Sequence, residues 1–328
     1  MGNSKGGMGG TNQSLRNDIA EFEFHGSFEV ETLNGLYLND IYIPEELILN
    51  ILSYVPAKDM LALTLVCKKW CNIIKSESLW MDIYNRTHSR KAKNIPWYVY
   101  YCYFTTDNFS NLIKNGNGQE GFKHWKIIKN YGDEFKIENP PMGCDPLPSD
   151  VPEFYGQTGC FATSFHECFK IQEISLIKKR LLMYIMDKFM PHLYVSEWMA
   201  GRFDCGCTYT LGVQGHSEKC YDILNPDESM ELLSESENSR IDNCFKSNRT
   251  ETIAQWQGRE WQKVEILVEG YPTMIQYLYF VHEGRDTQFW KGHYGSKMAG
   301  GVLRFIFESI EPLEDTGVTA ARRLYEPR

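Results

Sequence analysis

No stretch of the 328-residue chain is apolar for long enough to cross a membrane. The longest run, Ile95–Phe104, is interrupted by Pro96 and falls well short of the about 20 residues a spanning helix needs. Basic residues are outnumbered: 34 Lys and Arg against 43 Asp and Glu leave a formal charge of −9. That excludes a general nucleic-acid binder, which needs a basic surface to displace counterions. The ten cysteines form no C-x₂-C pair, which excludes a zinc ribbon, and no metal or other cofactor is expected. A Gly-rich phosphate loop, a G-x-S-x-G elbow and an H-E-x-x-H helix are all missing, so the commonest signatures of nucleotide, acyl-transfer and zinc-peptidase chemistry are absent. The first residues have no apolar core of a secretory signal. With the scattered thiols, this predicts a reducing, cytosolic compartment. The N-x-[ST] triplets at Asn12, Asn85, Asn108 and Asn248 then read as chance matches.

Hydrophobic residues, at 42%, and aromatics, at 14%, are plentiful, which implies a folded chain of about two domains. Residues 1–38 are read as a flexible Gly/Ser-rich tail. From Ile43 the pattern turns helical: Leu47, Ile48, Ile51, Leu52 and Val55 make one apolar stripe. Pro44 suits a first turn, and Glu45 and Glu46 complement the positive end of the helix dipole. Asp59 is expected to cap a second helix running to Trp70, and a third is expected from Ser78 to Tyr84. Residues 87–109, with Trp97, Tyr98, Tyr100, Tyr101 and Tyr103, read as an aromatic-rich linker that packs the joint between two modules. Beyond Phe109 the alternation of Tyr209, Leu211, Val213 and of Val264, Ile266, Val268 predicts an antiparallel sandwich or barrel over about 110–310. One helix interrupts it at Lys178–Met190, a long polar loop is expected at Asn225–Asn248, and 311–328 form a second tail.

The helical segment reads IPEELILNILSYVPAKDMLALTLVCKKWCNIIKSESLW over 43–80. Pro44, Leu47, Ile51, Leu52, Leu65-Val66-Cys67, Trp70 and Ser78-Leu79-Trp80 make it resemble the F-box, with Ile43-Pro44 in place of the usual Leu-Pro. Three short helices over 41–86 have little core of their own, and their excess of Leu, Ile and Trp suggests a docking face. The resemblance implies that Pro44, Leu47, Ile51, Leu52, Val55, Leu65, Val66 and Trp70 dock the Skp adaptor of a cullin–RING ubiquitin ligase.

Downstream, three blocks resemble the F-box-associated domain. They are Asn111-Leu112-Ile113-Lys114-Asn115 with Gly118, Gly121 and Trp125; Glu197-Trp198-Met199-Ala200-Gly201-Arg202 with Asp204-Cys205-Gly206-Cys207 and Tyr209; and the run from His282 to Gly295. The chain thus resembles the sugar-recognising F-box proteins. This implies an all-α F-box joined to a ten-stranded, jelly-roll, galactose-binding-like sandwich that selects N-glycosylated proteins.

The chemistry of the last block agrees with that resemblance. The indole of Trp290 offers a rigid face to the CH groups of an N-acetylglucosamine ring, and Phe289 can line a pocket for an acetamide methyl. Lys291 can lay its methylenes beside the sugar while its ammonium reaches a hydroxyl. By resemblance Phe165 stands across the pocket, with Phe161 as a competitor. Where the family's glycan binders have Tyr-Trp-Lys this chain has Phe289-Trp290-Lys291, which keeps the apolar wall and removes a phenolic hydroxyl. Three adjacent side chains cannot all face one core from a strand, so a loop is expected there. Cys205 and Cys207 are read as structural thiols, and His293 as a loop hydrogen-bonder.

The expected function is a non-catalytic receptor that presents the chitobiose core of high-mannose, misfolded glycoproteins for ubiquitination and endoplasmic-reticulum-associated degradation. Its expected place is the cytoplasm, at the cytosolic face of that organelle. Two alternatives stand beside it: a receptor for a protein degron without sugar, and a carbohydrate hydrolase, which would need an acid pair at the pocket.

Overall fold

The computed structural model describes residues 35–224 and 244–312. These form two compact units: residues 35–106, 180–189 and 310–312 in one, and 107–179 and 190–309 in the other, within the described residues. The expected tails over 1–34 and 313–328 lie outside the described residues.

The first unit opens with a small hairpin. Strands β1 (Tyr37–Leu38) and β2 (Ile41–Tyr42) pair through Asn39 and Asp40, both at positive φ, the geometry a two-residue hairpin turn favours. The expected tail therefore ends before residue 37. Helix α1 (Glu45–Ser53) follows, with Pro44 as its N-cap and Glu45 and Glu46 in the first turn. Ile48 and Leu52 point into the core, whereas Leu47 and Ile51 are exposed on the other side of the same helix.

The sequence predicts one continuous second helix, but the structure breaks it. After a 3₁₀ turn (Ala57–Asp59) comes a short α2 (Met60–Leu63), and α3 (Lys68–Ile74) begins anew. The Thr64 hydroxyl donates to the Leu61 carbonyl at 2.6 Å, competing with the backbone ladder. Cys67 is fully extended, and its sulfur accepts the Trp70 N–H at 3.5 Å as a cap. Asp59 makes no side-chain cap bond. Between the two helices Leu65 and Val66 are left in solvent, Leu65 being 87% exposed.

Helix α4 (Glu77–Thr87) is longer than expected. Its Arg86 donates to the Ser53 hydroxyl at 2.8 Å and to the Ser53 carbonyl. The segment read as a linker holds α5 (Trp97–Thr105). Tyr101 and Phe104 of α5 pack on Trp80, and Tyr100 packs edge-on against Tyr84. The helix expected within the sandwich's sequence is α6 (Arg180–Phe189), and Tyr184 and Phe189 meet Tyr98 of α5. These aromatics thus serve the core of the helical unit.

The second unit contains β3 (Lys126–Asn130), β4 (Lys136–Glu138), β5 (Cys160–Ala162), β6 (Cys168–Ser175), β7 (Leu193–Ala200), β8 (Cys207–His216), a short α7 (Tyr221–Leu224), β9 (Cys244–Ile253), β10 (Gln262–Val268), β11 (Tyr277–Asp286) and β12 (Lys297–Phe305). Two five-stranded antiparallel sheets result, in orders β10-β7-β12-β5-β4 and β3-β6-β11-β8-β9. The expected alternation places Tyr209, Leu211 and Val213 of β8, and Val264, Ile266 and Val268 of β10, in the core. The polar loop expected to run through Asn248 ends sooner, because Cys244–Asn248 are the start of β9, paired to His216–Gly212. An edge strand wets most of its side chains, so its polar sequence hides it. Residues 225–243 of that loop lie outside the described residues.

Candidate functional site

Strands β11 and β12 lie in different sheets, so the connection between them, 287–296, crosses from one sheet to the other. The connection β5–β6, carrying Phe165, makes the same crossing, and the two meet: the Ser164 hydroxyl donates to the Gly292 carbonyl at 3.0 Å. Ser164 also accepts the Asp133 N–H at 2.7 Å, and His293 Nε2 lies 3.0 Å from the Asp133 carbonyl. A third loop joins from the β7–β8 connection. Gly206 N–H donates to Gln288 Oε1 at 2.7 Å, and Thr287 N–H donates to the Gly206 carbonyl at 2.9 Å.

Asp286, at the end of β11, shapes the loop. One carboxyl oxygen accepts the Phe289 N–H at 2.6 Å and the other the Trp290 N–H at 3.1 Å. Burial raises the Asp286 pKa, and the N–H groups donated to it work against that rise. Phe289 is forced to φ +60°, in the left-handed region that a bulky side chain avoids. Such a conformation persists only where its surroundings dictate it, and it gathers at functional positions.

Held this way, the two aromatics face solvent: Phe289 is 66% exposed and Trp290 41%. Phe165 packs edge-on against Phe289 with centroids 5.3 Å apart, His166 adds a second edge at 5.8 Å, and Tyr294 meets Trp290 at 6.0 Å. Lys291 is exposed beside them. The structure therefore brings Phe165 to Phe289, while Trp290, next in the same loop, meets Tyr294 and is followed by the exposed Lys291. Phe161 is fully buried between Trp125 and Phe122, so it is core and not among the exposed rings.

A second cluster has the residue types of a catalytic site. Tyr209 donates to Glu197, His282 Nδ1 lies 2.8 Å from the same Glu197 oxygen, and Lys170 Nζ sits 3.4 Å above Trp125 and 3.3 Å above Phe161. All four side chains are sealed between the sheets. Burial, helped by the nearby Lys170, pushes His282 down to about 4, and burial holds the Lys170 ammonium well below its usual range. With no access for a substrate, the cluster is part of the core.

Cys205 donates to Gln288 Oε1 at 3.0 Å and so supports the aromatic loop. Burial pushes the Cys205 thiol up to about 11 and Cys207 to about 12, which keeps both protonated and unreactive at neutral pH. No group of three or more His, Cys, Asp or Glu among the described residues could hold a metal ion. Sequence reasoning missed the frame of Asp286, Ser164, Asp133 and Gln288, since nothing in their local pattern reveals contacts made across three loops.

In the helical unit the proposed docking residues separate. Leu47, Ile51, Leu65 and Val66 are exposed, Val55 and Pro44 are half-buried, and Trp70 is half-buried with its indole N–H donating to the Gly35 carbonyl at 2.9 Å. Leu52, at 1% exposure, belongs to the core and offers nothing to a partner. An i, i+1 pair on a helix cannot share one narrow face, which is why Ile51 and Leu52 part company.

Comparison with known proteins bears on both surfaces. A family model described as "F-box-like" matches residues 41–86, and one described as "F-box associated region" matches 103–304. The chain is 31% identical to mouse "F-box only protein 6" over 274 residues, covering 82% of this chain and 83% of that protein. It is 30% identical to the human protein of that name, covering 85% and 86%, and 29% identical to human "F-box only protein 44", covering 80% and 94%. Among solved structures, TmCBM61 in complex with β-1,4-galactotriose aligns at 14% identity with a TM-score of 0.33. That alignment covers 60% of this chain and 99% of that one, a likeness too slight to carry argument.

Proposed function

This chain belongs to the F-box proteins that carry an F-box-associated region, and from that premise we propose that it is the substrate receptor of a cullin–RING ubiquitin ligase that recognises N-glycans. Leu47, Ile51, Leu65 and Val66 form the face that docks a Skp-type adaptor, because exposed aliphatics on so small a helical unit call for a partner to cover them. The sandwich takes the chitobiose core of high-mannose glycoproteins. Trp290 stacks on a pyranose, Phe289 and Phe165 wall the acetamide methyl, and Lys291 reaches a hydroxyl. Misfolded glycoproteins returned to the cytosol at the endoplasmic reticulum are the substrates that fit this chemistry. Transfer of ubiquitin is left to other subunits and depends on proximity.

The observation that carries the reading is the Phe289–Trp290 pair, kept in solvent by a loop clamped on Asp286. Apolar rings are normally withdrawn from water, and presenting them on a rigid turn suits a flat ligand with CH faces. A hydrolase would need a free acid pair beside Trp290. Asp286, the carboxyl that holds this loop, is buried with both oxygens accepting backbone N–H groups, so the same geometry favours binding over cleavage.

The test compares capture of denatured high-mannose glycoprotein with capture of the same protein after enzymatic removal of its glycans. Wild type should retain only the glycosylated form. Trp290→Ala should lose about 2 kcal/mol, roughly thirty-fold in affinity, while still co-purifying with the adaptor. Equal capture of the deglycosylated protein would replace sugar by a protein degron.

A further inference from the structure

On the same unit as the aromatic patch lies a cleft of about 700 Å³ lined by Phe203, Trp256, Gln257, Glu260 and neighbouring residues. Its most unusual member is Trp256, which is 69% exposed and sits at φ +69°. A bulky residue rarely adopts this conformation, and rarer still is one that spends it on putting an indole into water.

The loop that carries Trp256 is fixed from several sides. Gln255 Nε2 donates to the Asp204 carbonyl at 3.1 Å, Trp261 Nε1 to the Asp145 carbonyl at 2.7 Å, and Arg259 Nε to Asp145 Oδ1 at 2.6 Å. Gly258 abuts Gly201 so closely that a Cβ there would lie 2.9 Å from the Gly201 Cα. The cleft is therefore preformed, and no loop has to close to create it.

Its chemistry is that of a sugar site. The broad indole face and the exposed Phe203 are accompanied by side-chain amide and carboxyl groups, those of Gln257 and Glu260 among them. Flat apolar faces ringed by directional donors and acceptors match the alternating CH and OH surfaces of a hexose.

Position links the cleft to the first site. Asp204 is held by Gln255, while Gly206, two residues on, is held by Gln288 and Thr287 beside Phe289. The 201–206 loop thus has the cleft on one flank and the Phe289–Trp290 patch on the other. We propose that the cleft between Trp256 and Phe203 is a second carbohydrate subsite, taking hexoses of the same glycan whose first sugars rest on Trp290. The inference builds on the glycan-receptor reading above and adds a source of preference for extended over truncated glycans.

The test titrates the full chain with chitobiose, with trimannosyl-chitobiose, with a nine-mannose glycan and with glycopeptides carrying the same glycans. Wild type should bind the mannosylated glycans about tenfold tighter than chitobiose. Trp256→Ala and, separately, Phe203→Ala should erase that gain and leave chitobiose affinity unchanged, whereas Trp290→Ala should weaken all three. A wild type that binds chitobiose but gains nothing from mannose overturns the second subsite and leaves the receptor reading intact. So does a gain that survives Trp256→Ala, or a loss that falls equally on chitobiose. A Trp256-dependent gain seen only with glycopeptides would give the cleft to polypeptide and overturn it too. No binding of chitobiose by wild type would bring down the receptor reading itself.

Discussion

The two units of this chain both leave apolar side chains in water, but they expose different kinds in different places. In the helical unit the exposed rings are the tyrosines Tyr37, Tyr42 and Tyr54, each with a polar tip. The exposed residues on its helices and their break are mainly aliphatic: Leu47 and Ile51 one turn apart on α1, and Leu65 and Val66 after α2. In the sandwich they are largely aromatic and on loops: Phe289, Trp290, Trp256 and Phe203, each in a connection between strands. A yielding aliphatic surface is what another protein's side chains interdigitate with. Rigid rings in a frame of hydrogen-bonding groups suit a ligand that is flat and polar at its rim. The contrast suggests that each unit was shaped by its partner's chemistry more than by its own stability.

The sharpest test of the contrast separates α1's two faces. Leu52→Asp would bury a carboxyl at a position 1% exposed, and it should cost more than about 4 kcal/mol and unfold the helical unit. Leu65→Asp, at a position 87% exposed, should change stability by no more than about 0.5 kcal/mol and still abolish adaptor binding. Hydrogen exchange across Glu45–Thr87 distinguishes the two: rapid exchange in the first variant, wild-type protection in the second. If Leu65→Asp keeps the adaptor, the exposed aliphatics are not the docking face.

That pair also marks what could be read from the sequence. Periodicity found the α1 stripe, but it could not assign Ile51 outward and Leu52 inward, since adjacent positions sit about 100° apart and either can lead. The break at Thr64 was invisible because it depends on one hydroxyl choosing the Leu61 carbonyl. Strand alternation placed β8, an interior strand, and β10, an edge strand whose inward face still alternates apolar residues at Val264, Ile266 and Val268. It failed at the start of β9, an edge whose wet face reads as loop. Phe289-Trp290-Lys291 was legible as chemistry, and its loop was inferred from three adjacent side chains. The clamp by Asp286 and the contact with Phe165 needed three-dimensional closure. Trp256 gave no signal at all, because an exposed and a buried tryptophan look alike in a sequence.

The sandwich should also differ from the helical unit in its response to pH. Burial raises Glu283 of β11 to about 7, assisted by its hydrogen bond to Glu167. Burial pushes Glu167 up as well, but Lys129, 2.9 and 3.0 Å from its two oxygens, and Glu283 more than offset that and hold it low. The folded state thus keeps the Glu283 proton up to about 7, while the unfolded chain releases it near 4.5. Between those values the native state binds more protons. The contribution is therefore fully present below the lower value and lost as pH rises through the upper one. Glu283→Gln retains a donor toward Glu167 and should remove this slope, about 1 to 3 kcal/mol between pH 5 and 8. Exchange protection of Tyr277–Asp286 should fall with pH in wild type and stay level in the variant, with α4 indifferent in both. Equal slopes would show that the carboxyl pair contributes nothing.

The smallest expected effect lies back in the helical unit, at the cap of α3. Cys67 offers its sulfur to the Trp70 N–H at 3.5 Å, and sulfur is a weak acceptor where serine oxygen is among the best. Cys67 is already in the extended conformation an N-cap needs. Cys67→Ser should therefore stabilise α3 by about 0.5 to 1 kcal/mol, slowing exchange over Lys68–Ile74 without touching the strands of the sandwich. The opposing consideration is packing: the sulfur lies against Gly35, where a Cβ would approach it to 2.4 Å. Serine is smaller and leaves a gap there. Faster exchange in the variant would mean that this contact outweighs the cap. It would also mean that the helical unit, for all its local signals, depends on the backbone of Gly35 just before β1 to hold α3 in place.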